Sequence, residues 1–289
     1  MEQNKEKVSL IIEGGAMRGV FCAGVISTLL REQIYLDYVI GVSSGSANGI
    51  NYVSQDPARA RDSFVDIAAN PAFSGMKYFL NGQGYFNTKY IYEDAITNDI
   101  PFRFDSFTQN PATMKIVATE METGKAVYFD KNEIATSAEL ARKVRASSTV
   151  PLVMPPTEID GKYYLDGGIV DSLPIEKAIA DGNRKHVIIL TRPRGYIKEK
   201  QRFNAIIRRQ LRAYPEIVAA IEQRHINYNR SMALIEQMEK EDKAFVFAPD
   251  QLSIGRMERN VQRLEAYYQY GERAAERQLP ALQAFLSSR

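Results

Sequence analysis

The 289-residue chain has no Trp, two His and a single Cys. One thiol, Cys22, leaves no partner for an internal disulfide, and no Cys/His set is present to hold a structural zinc. A Ser–His–acid triad has only His186 and His225 to draw on. An excess of one charge is also lacking, since 37 Lys and Arg against 35 Asp and Glu leave a net +2. That balance argues against a nucleic-acid binder as a whole-chain property. Long apolar runs are missing too. Val8–Ile12 ends at Glu13, too short for a signal-peptide core, and the uncharged stretch Gly19–Leu30 is about half of what spans a bilayer. No repeat or low-complexity segment occurs. What remains is 45% apolar and 25% charged residues, the composition of a globular protein. The expectation is a reduced, cytoplasmic protein of one large or two unequal domains.

Short β-branched runs alternate with helical patterns over the first two thirds. Strands are expected at Val8–Ile12, Tyr38–Ile40, Met114–Thr119, Ala126–Phe129, Lys162–Leu165 and His186–Thr191. Helices are expected after the first Gly-rich turn, carrying Val20, Phe21, Val25 and Leu29, from about Ser46, over Thr136–Arg145 and over Pro174–Ala180. Near-continuous apolar strands alternating with helices predict an α/β fold with a largely parallel sheet covered on both faces. After Pro193 the pattern becomes mostly helical, with Pro215–Lys240 and Arg256–Phe285 as long helices and a short strand at Ala244–Phe247. A boundary near residue 195 separates a part of net charge −2 from one of +4.

Gly41-Val42-Ser43-Ser44-Gly45 fits G-x-S-x-G between a strand and a helix. There a serine sits on a strained turn, and small neighbours let the chain reverse and a substrate approach Oγ. The helix N-terminus behind it favours negative charge developing on a substrate oxygen. The plain alternative is a Gly/Ser turn. His186 and His225 read as a strand-edge and a surface residue rather than as its base, which brings carboxylates into consideration. Glu13-Gly14-Gly15-Ala16-Met17-Arg18-Gly19 is a second turn between strand and helix, able to form an oxyanion hole or cradle a phosphate. A dinucleotide reading fails because Ala16 breaks G-x-G-x-x-G. Asp166-Gly167-Gly168 follows a strand, and taken alone it reads as a tight turn.

In this order, G-G-x-x-R-G, G-x-S-x-G and D-G-G resemble the patatin-like phospholipases over roughly residues 8–191. Ala146-Ser147-Ser148-Thr149-Val150-Pro151 with Pro155-Pro156, and the run from Asp166 through Asp171 to Pro174, agree with that family. The resemblance implies a three-layer patatin-like fold over residues 1–195, with residues 196–289 as an added, mostly helical C-terminal region. It implies a Ser43–Asp166 dyad in which Asp166 accepts the Ser43 proton and an acyl-enzyme is hydrolysed by water. Burial of Asp166 would raise its proton affinity. Gly14, Gly15 and Ala16 match the oxyanion loop and Arg18 its brace. Gly41 and Gly45 match the elbow, and Gly167 and Gly168 the Asp-Gly-Gly motif. No metal or other cofactor is implied. Glu13 stands for the family's acid before the glycines. Ala16 replaces a glycine, so its φ is expected to be negative and its methyl to narrow the acyl entrance or misalign a donor. A lost oxyanion donor costs on the order of 3 kcal/mol.

Residues 192–212 carry eight basic side chains against Glu199, interleaved with Tyr196, Ile197, Phe203, Ile206, Ile207 and Leu211. A basic amphipathic helix of this kind suits peripheral contact at an inner membrane surface. Packing of its apolar stripe on the catalytic part, with the charges solvated, is the other reading. The function expected is a serine acyl-ester hydrolase of phospholipase A or lysophospholipase type, with a lipid or fatty acyl ester as its partner. An esterase of small esters or thioesters, and a weakly active lipid-binding regulatory protein, stand as alternatives.

Overall fold

The computed structural model describes residues 7–151, 153–200 and 211–288. Among them, eight strands form one sheet. They are β1 (Val8–Ile12), β2 (Tyr38–Val42), β3 (Thr113–Glu120), β4 (Ala126–Asp130), β5 (Thr157–Ile159), β6 (Lys162–Asp166), β7 (Lys185–Ile189) and β8 (Ala244–Phe247). The strand order is β5-β6-β3-β2-β1-β7-β8, with β4 paired to β3. β3-β2-β1-β7-β8 is parallel throughout, whereas β4 and β6 pair antiparallel with β3, and β5 with β6. The parallel character expected from continuous apolar runs therefore holds where those runs are. The remaining strands, with more polar sequences, make hairpin-like pairings.

The helices are α1 (Gly19–Arg31), α2 (Ser44–Val53), α3 (Pro57–Asp62), α4 (Asp66–Ala69), α5 (Met76–Leu80), α6 (Phe104–Gln109), α7 (Ser137–Ser148), α8 (Ile175–Ala180), α9 (Pro215–Lys240) and α10 (Val261–Ser287). A π-helical segment, Tyr90–Asp99, stands between α5 and α6. The sequence pattern assigns no element to 54–112, where α3 to α6 and this segment lie. The pieces are short, ten residues at most, and give little periodic signal. Only α3 among them has a side-chain cap, Asp56 accepting the Arg59 N–H ahead of Pro57.

Side-chain alternation along the parallel strands feeds two cores. Leu10, Ile12, Val39, Met114, Val187 and Ile189 belong to the core shared with α1, α2 and α10, Val39 and Met114 lying against Gly49 of α2. Ile11, Ile40, Val42, Val117 and Ile188 face α8 and α9. α1 is apolar on every side and buried from Gly19 to Leu30, as a helix sandwiched between a sheet and another helix must be. The region beyond residue 195 is built into the same sheet, because β8 adds to β7 and α10 lies along α1. Among the described residues no helix is long and apolar enough to cross a membrane.

His186 differs from its expected place at a strand edge. β7 is an interior strand, and the His186 ring is wholly buried with Nδ1 2.7 Å from Ser9 Oγ. Burial pushes its pKa down to about 4, so it is held neutral in the core. Part of the basic segment, residues 201–210 with Arg202, Phe203, Ile206, Ile207, Arg208 and Arg209, lies outside the described residues. Arg194, before it, is not simply solvated: it grips Glu239 with two hydrogen bonds of 2.7 and 2.9 Å.

Candidate active site

Three strand ends and one hand-off in the sheet bring the sequence motifs together. Val42, the last residue of β2, pairs with Val117 of β3. One step further along β3, Ala118 pairs with Asp166, the last residue of β6. The antiparallel β6 thus takes over from β2 at the point where β2 turns into Ser43. On the other side, Ile12 at the end of β1 pairs with Gly41 and with Ile189, which sets the Glu13–Arg18 loop beside the same point.

Ser43 has φ +56° and ψ −126°, a conformation costing an L-residue on the order of 1–3 kcal/mol, and it is only 7% exposed. Its neighbours make the turn possible by having no side chain. A Cβ on Gly41 would stand 2.3 Å from the Gly45 carbonyl oxygen, and one on Gly45 2.2 Å from the Ile12 carbonyl oxygen. The Ser43 carbonyl is held by the Ser46 N–H at 2.8 Å and the Ser46 hydroxyl at 2.6 Å. Ser43 N–H donates to Ser147 Oγ of α7 at 2.7 Å.

Asp166 is also 7% exposed. Its backbone N–H donates to the Thr149 carbonyl at 2.8 Å, and its Oδ1 accepts the Gly168 N–H at 2.7 Å. Its carboxylate and the Ser43 side chain line the same crevice. Desolvation raises its proton affinity above the ordinary aspartate range, opposed by the Arg224 guanidinium, the Ser43 hydroxyl and the Gly168 N–H. Gly167 lies against the Val117 carbonyl, where a Cβ would come within 2.2 Å. The segment Ala146–Pro151 therefore has a definite job. Ser147 fixes the serine's backbone and Thr149 the aspartate's. The sequence marks this segment as motif-like but assigns no role to those two residues, since their partners are remote in sequence.

The Glu13–Arg18 loop departs from expectation at Ala16, whose φ is +51°, not negative. The methyl has not pushed the loop out of the left-handed turn, and the consequence is backbone strain. Ala16→Gly should accordingly raise the unfolding free energy by about 0.5–1 kcal/mol, the relief being partly offset by the greater freedom of unfolded glycine. A higher denaturant midpoint at unchanged slope is the expected reading, and a lower midpoint would contradict it. Gly15 N–H is already given to Ser44 Oγ at 2.8 Å. Glu13 is buried and takes both the Thr191 N–H, at 2.6 Å, and the Thr191 hydroxyl, at 2.8 Å, on Oε2. Arg18 donates from Nε to the Ile254 carbonyl at 3.3 Å, and Met17 N–H donates to the Arg256 carbonyl at 3.2 Å. The loop is thereby tied to the connection between β8 and α10.

Two spaces meet at Ser43. An apolar cavity of about 160 Å³ runs back from Ser43 between Met17, Ala47, Ile50, Phe64, Leu140 and Met154. A crevice of about 80 Å³ holds Ser43 and Asp166 on one side and Arg192, Lys198, Arg224 and Arg256 on the other. Those four cations were not singled out from the sequence as site residues. Arg224 and Arg256 lie far along the chain, within the stretches read as long helices, Pro215–Lys240 and Arg256–Phe285; the second helix begins only at Val261, which leaves Arg256 in the loop before it. His225, next to Arg224 on α9, bonds through Nδ1 to the Glu222 carbonyl oxygen at 3.0 Å.

A serine on a strained strand-to-helix elbow shares a crevice with a buried carboxylate at the C-terminal ends of the parallel strands of an α/β sheet. The chain belongs to the patatin-like phospholipase family, whose model matches residues 10–179, more than half its length. A domain of unknown function, DUF6363, matches residues 214–287. Among similar proteins, the uncharacterized protein YjjU of Escherichia coli is 27% identical over 198 residues, covering 65% of this chain and 52% of that protein. The probable lipid hydrolase 463L of Invertebrate iridescent virus 6 is 25% identical over 62% of this chain and 65% of its own length. Lysophospholipase NTE1 of Yarrowia lipolytica is 26% identical over 61% of this chain but only 12% of its own length. The chain thus spans less than two thirds of each of these relatives. The crystal structure of VipD from Legionella pneumophila superposes with a TM-score of 0.50 at 14% identity, covering 96% of this chain and 67% of that one, which is a likeness of fold.

Proposed function

We propose that the chain is a serine acyl-ester hydrolase of phospholipase A or lysophospholipase type, working through Ser43 and Asp166. One observation carries this reading: a strained serine lines both an apolar cavity and a crevice that holds a buried aspartate. A fatty acyl chain fills such a cavity with its ester carbonyl at Ser43 Oγ. Asp166 accepts the hydroxyl proton as Oγ attacks the carbonyl carbon, and the oxyanion meets backbone N–H groups. Because Gly15 N–H is engaged by Ser44, the proposal gives that task to Gly14 and Ala16. Collapse of the tetrahedral adduct breaks the bond to the alcohol oxygen, which takes the proton from Asp166. Water then attacks the acyl-enzyme, giving its proton to Asp166; collapse breaks the acyl bond to Oγ, which takes that proton back as the fatty acid leaves. The patatin-like part over residues 1–195, the helical part after it and a cytoplasmic setting beside a lipid surface belong to the same proposal.

The test is fluorophosphonate labelling of the full chain together with hydrolysis of p-nitrophenyl esters from acetate to palmitate. Labelling at Ser43 with rates favouring longer acyl chains supports a lipid hydrolase. Preference for acetate points to the small-ester alternative, and absence of both labelling and turnover to a lipid-binding protein.

The pH dependence follows from the base. Asp166 works only as a carboxylate, so activity falls as pH drops through its raised pKa, and the acid limb of kcat/KM should lie above the ordinary aspartate range. Arg224 is the largest influence favouring the ionised form. Arg224→Gln should therefore move the acid limb further up in pH. A limb that stays put or moves down would remove Asp166 from the base's role.

A further inference from the structure

The crevice walls at Ser43 are strongly unequal in charge. Arg192 and Lys198 follow β7, Arg224 stands on α9, and Arg256 lies between β8 and α10; all four line the space that holds Ser43 and Asp166. Lys198, Arg224 and Arg256 also line an adjoining outer cavity of about 360 Å³, completed by Tyr196, Ile197, Glu199, Ile221 and His225. The carboxylates nearby are few. Glu13 is occupied by Thr191, Asp166 stands beside Ser43 in the crevice with Oδ1 on the Gly168 N–H, and Glu199 is exposed at the outer rim.

Among the described residues no ion pair joins any of the four cations to a carboxylate, although Arg194, Arg230 and Arg263 nearby on the chain all have one. Two of the four rest on rings instead. The Arg192 guanidinium sits 4.3 Å from the Tyr196 ring centre and Lys198 Nζ 4.2 Å from that of Tyr228. Ring faces hold a cation without neutralising it. Arg224 Nε is buried with no hydrogen-bond partner, a cost that a protein retains where a ligand can supply the acceptor. Repulsion within the group is evident. Burial first, then Arg224, push the Lys198 pKa down to about 7, and burial with Arg224 and Arg192 lowers that of Arg256.

We propose that Arg192, Lys198, Arg224 and Arg256 form a subsite for a net-anionic phosphate headgroup on the leaving alcohol. The substrate class is then the anionic glycerophospholipids. The proposal rests on the hydrolase reading and deepens it. With the acyl chain in the apolar cavity and the carbonyl at Ser43, the alcohol is the part that faces the cations. A phosphodiester or phosphomonoester gives these donors their acceptors, whereas a headgroup ending in a quaternary ammonium brings a positive charge against the same wall. Arg224 and Arg256 both fall within the domain of unknown function, residues 214–287, so that region supplies headgroup recognition to the patatin-like part.

The experiment compares kcat/KM for dihexanoylphosphatidylglycerol and dihexanoylphosphatidylcholine, both below their micelle concentrations so that surface recruitment plays no part. Wild type should favour the anionic lipid at least tenfold. Arg224→Gln/Arg256→Gln should bring the ratio close to one, while Arg224→Lys/Arg256→Lys, matched for thermal unfolding, keeps most of it. A wild-type ratio near one, or a ratio unmoved by the double Gln variant, overturns the subsite and leaves the hydrolase reading intact if p-nitrophenyl esters are still cleaved. If no ester is cleaved and Ser43 is not labelled, it is the hydrolase reading that has failed, and calorimetric titration with glycerol 3-phosphate decides the subsite. Binding lost in the double Gln variant assigns the site to a soluble phosphate compound, and no binding in the wild type overturns it.

Discussion

Ser43→Ala and Asp166→Asn should each lower ester hydrolysis by at least about a thousandfold, and Ser43→Ala should abolish fluorophosphonate labelling. The two losses have different physical origins. Alanine removes the nucleophile and leaves the elbow in place. Asparagine keeps the shape of Asp166, including an oxygen for the Gly168 N–H now donated at 2.7 Å, but it takes up no proton. The double variant should lose little beyond either single one, because nucleophile and base act as a unit. Stability should run the other way. A buried carboxylate whose proton affinity is raised by desolvation is a charge the fold holds at a cost at neutral pH. Asp166→Asn removes that charge and should unfold at the same temperature or higher. Full activity in Asp166→Asn would exclude the aspartate as base. The neutral His186 is no substitute, being sealed in the core and bonded to Ser9.

The elbow was legible because its requirement is local. A strand, a serine between small residues and a helix are contiguous, and the glycines are demanded by backbone contacts within a few residues or with the neighbouring strand. Asp166 was legible as a strand-end carboxylate, although its approach to Ser43 depends on β6 replacing β2 along β3, a register that sequence does not carry. Ser147 and Thr149 were visible as a motif without a function. The positive φ of Ala16 was misjudged because the steric rule for L-residues is a preference of roughly 1–2 kcal/mol, which the surrounding contacts overrode. Arg224 and Arg256 were the least legible. Nothing in a helical pattern says which of several arginines folds back over a serine roughly 180 to 210 residues earlier.

The crossing of α1 and α10 sets the position of that C-terminal region and provides the second large expected effect. At this crossing the two backbones touch through glycines. A Cβ on Gly271 would stand 2.3 Å from the Phe21 carbonyl oxygen and 3.3 Å from Gly24 Cα. One on Gly24 would stand 2.2 Å from the Tyr268 carbonyl oxygen. These neighbours are backbone, so neither can swing aside. Helix propensity and packing predict opposite signs here. Alanine is better than glycine inside a helix by about 1 kcal/mol, whereas forcing a methyl between two backbones costs about 1–3 kcal/mol or more. The contacts are far below van der Waals distance, so packing should win. Gly271→Ala should lose about 2 kcal/mol and Gly271→Val more. At Ala266, exposed on the same helix, the order should reverse, with Ala266→Gly losing about 1 kcal/mol. The loss at Gly271 should also reach the site. α10 carries the fully buried Leu264, Ala275 and Leu282 onto the core, and the segment leading into it holds the Arg18 side chain through the Ile254 carbonyl and the Met17 N–H through the Arg256 carbonyl. Helices pried apart at Gly271 should loosen the Gly14–Arg18 loop, lowering kcat along with the denaturation midpoint. If Gly271→Ala instead gains stability by about 1 kcal/mol, as propensity alone dictates, the two helices are not in backbone contact.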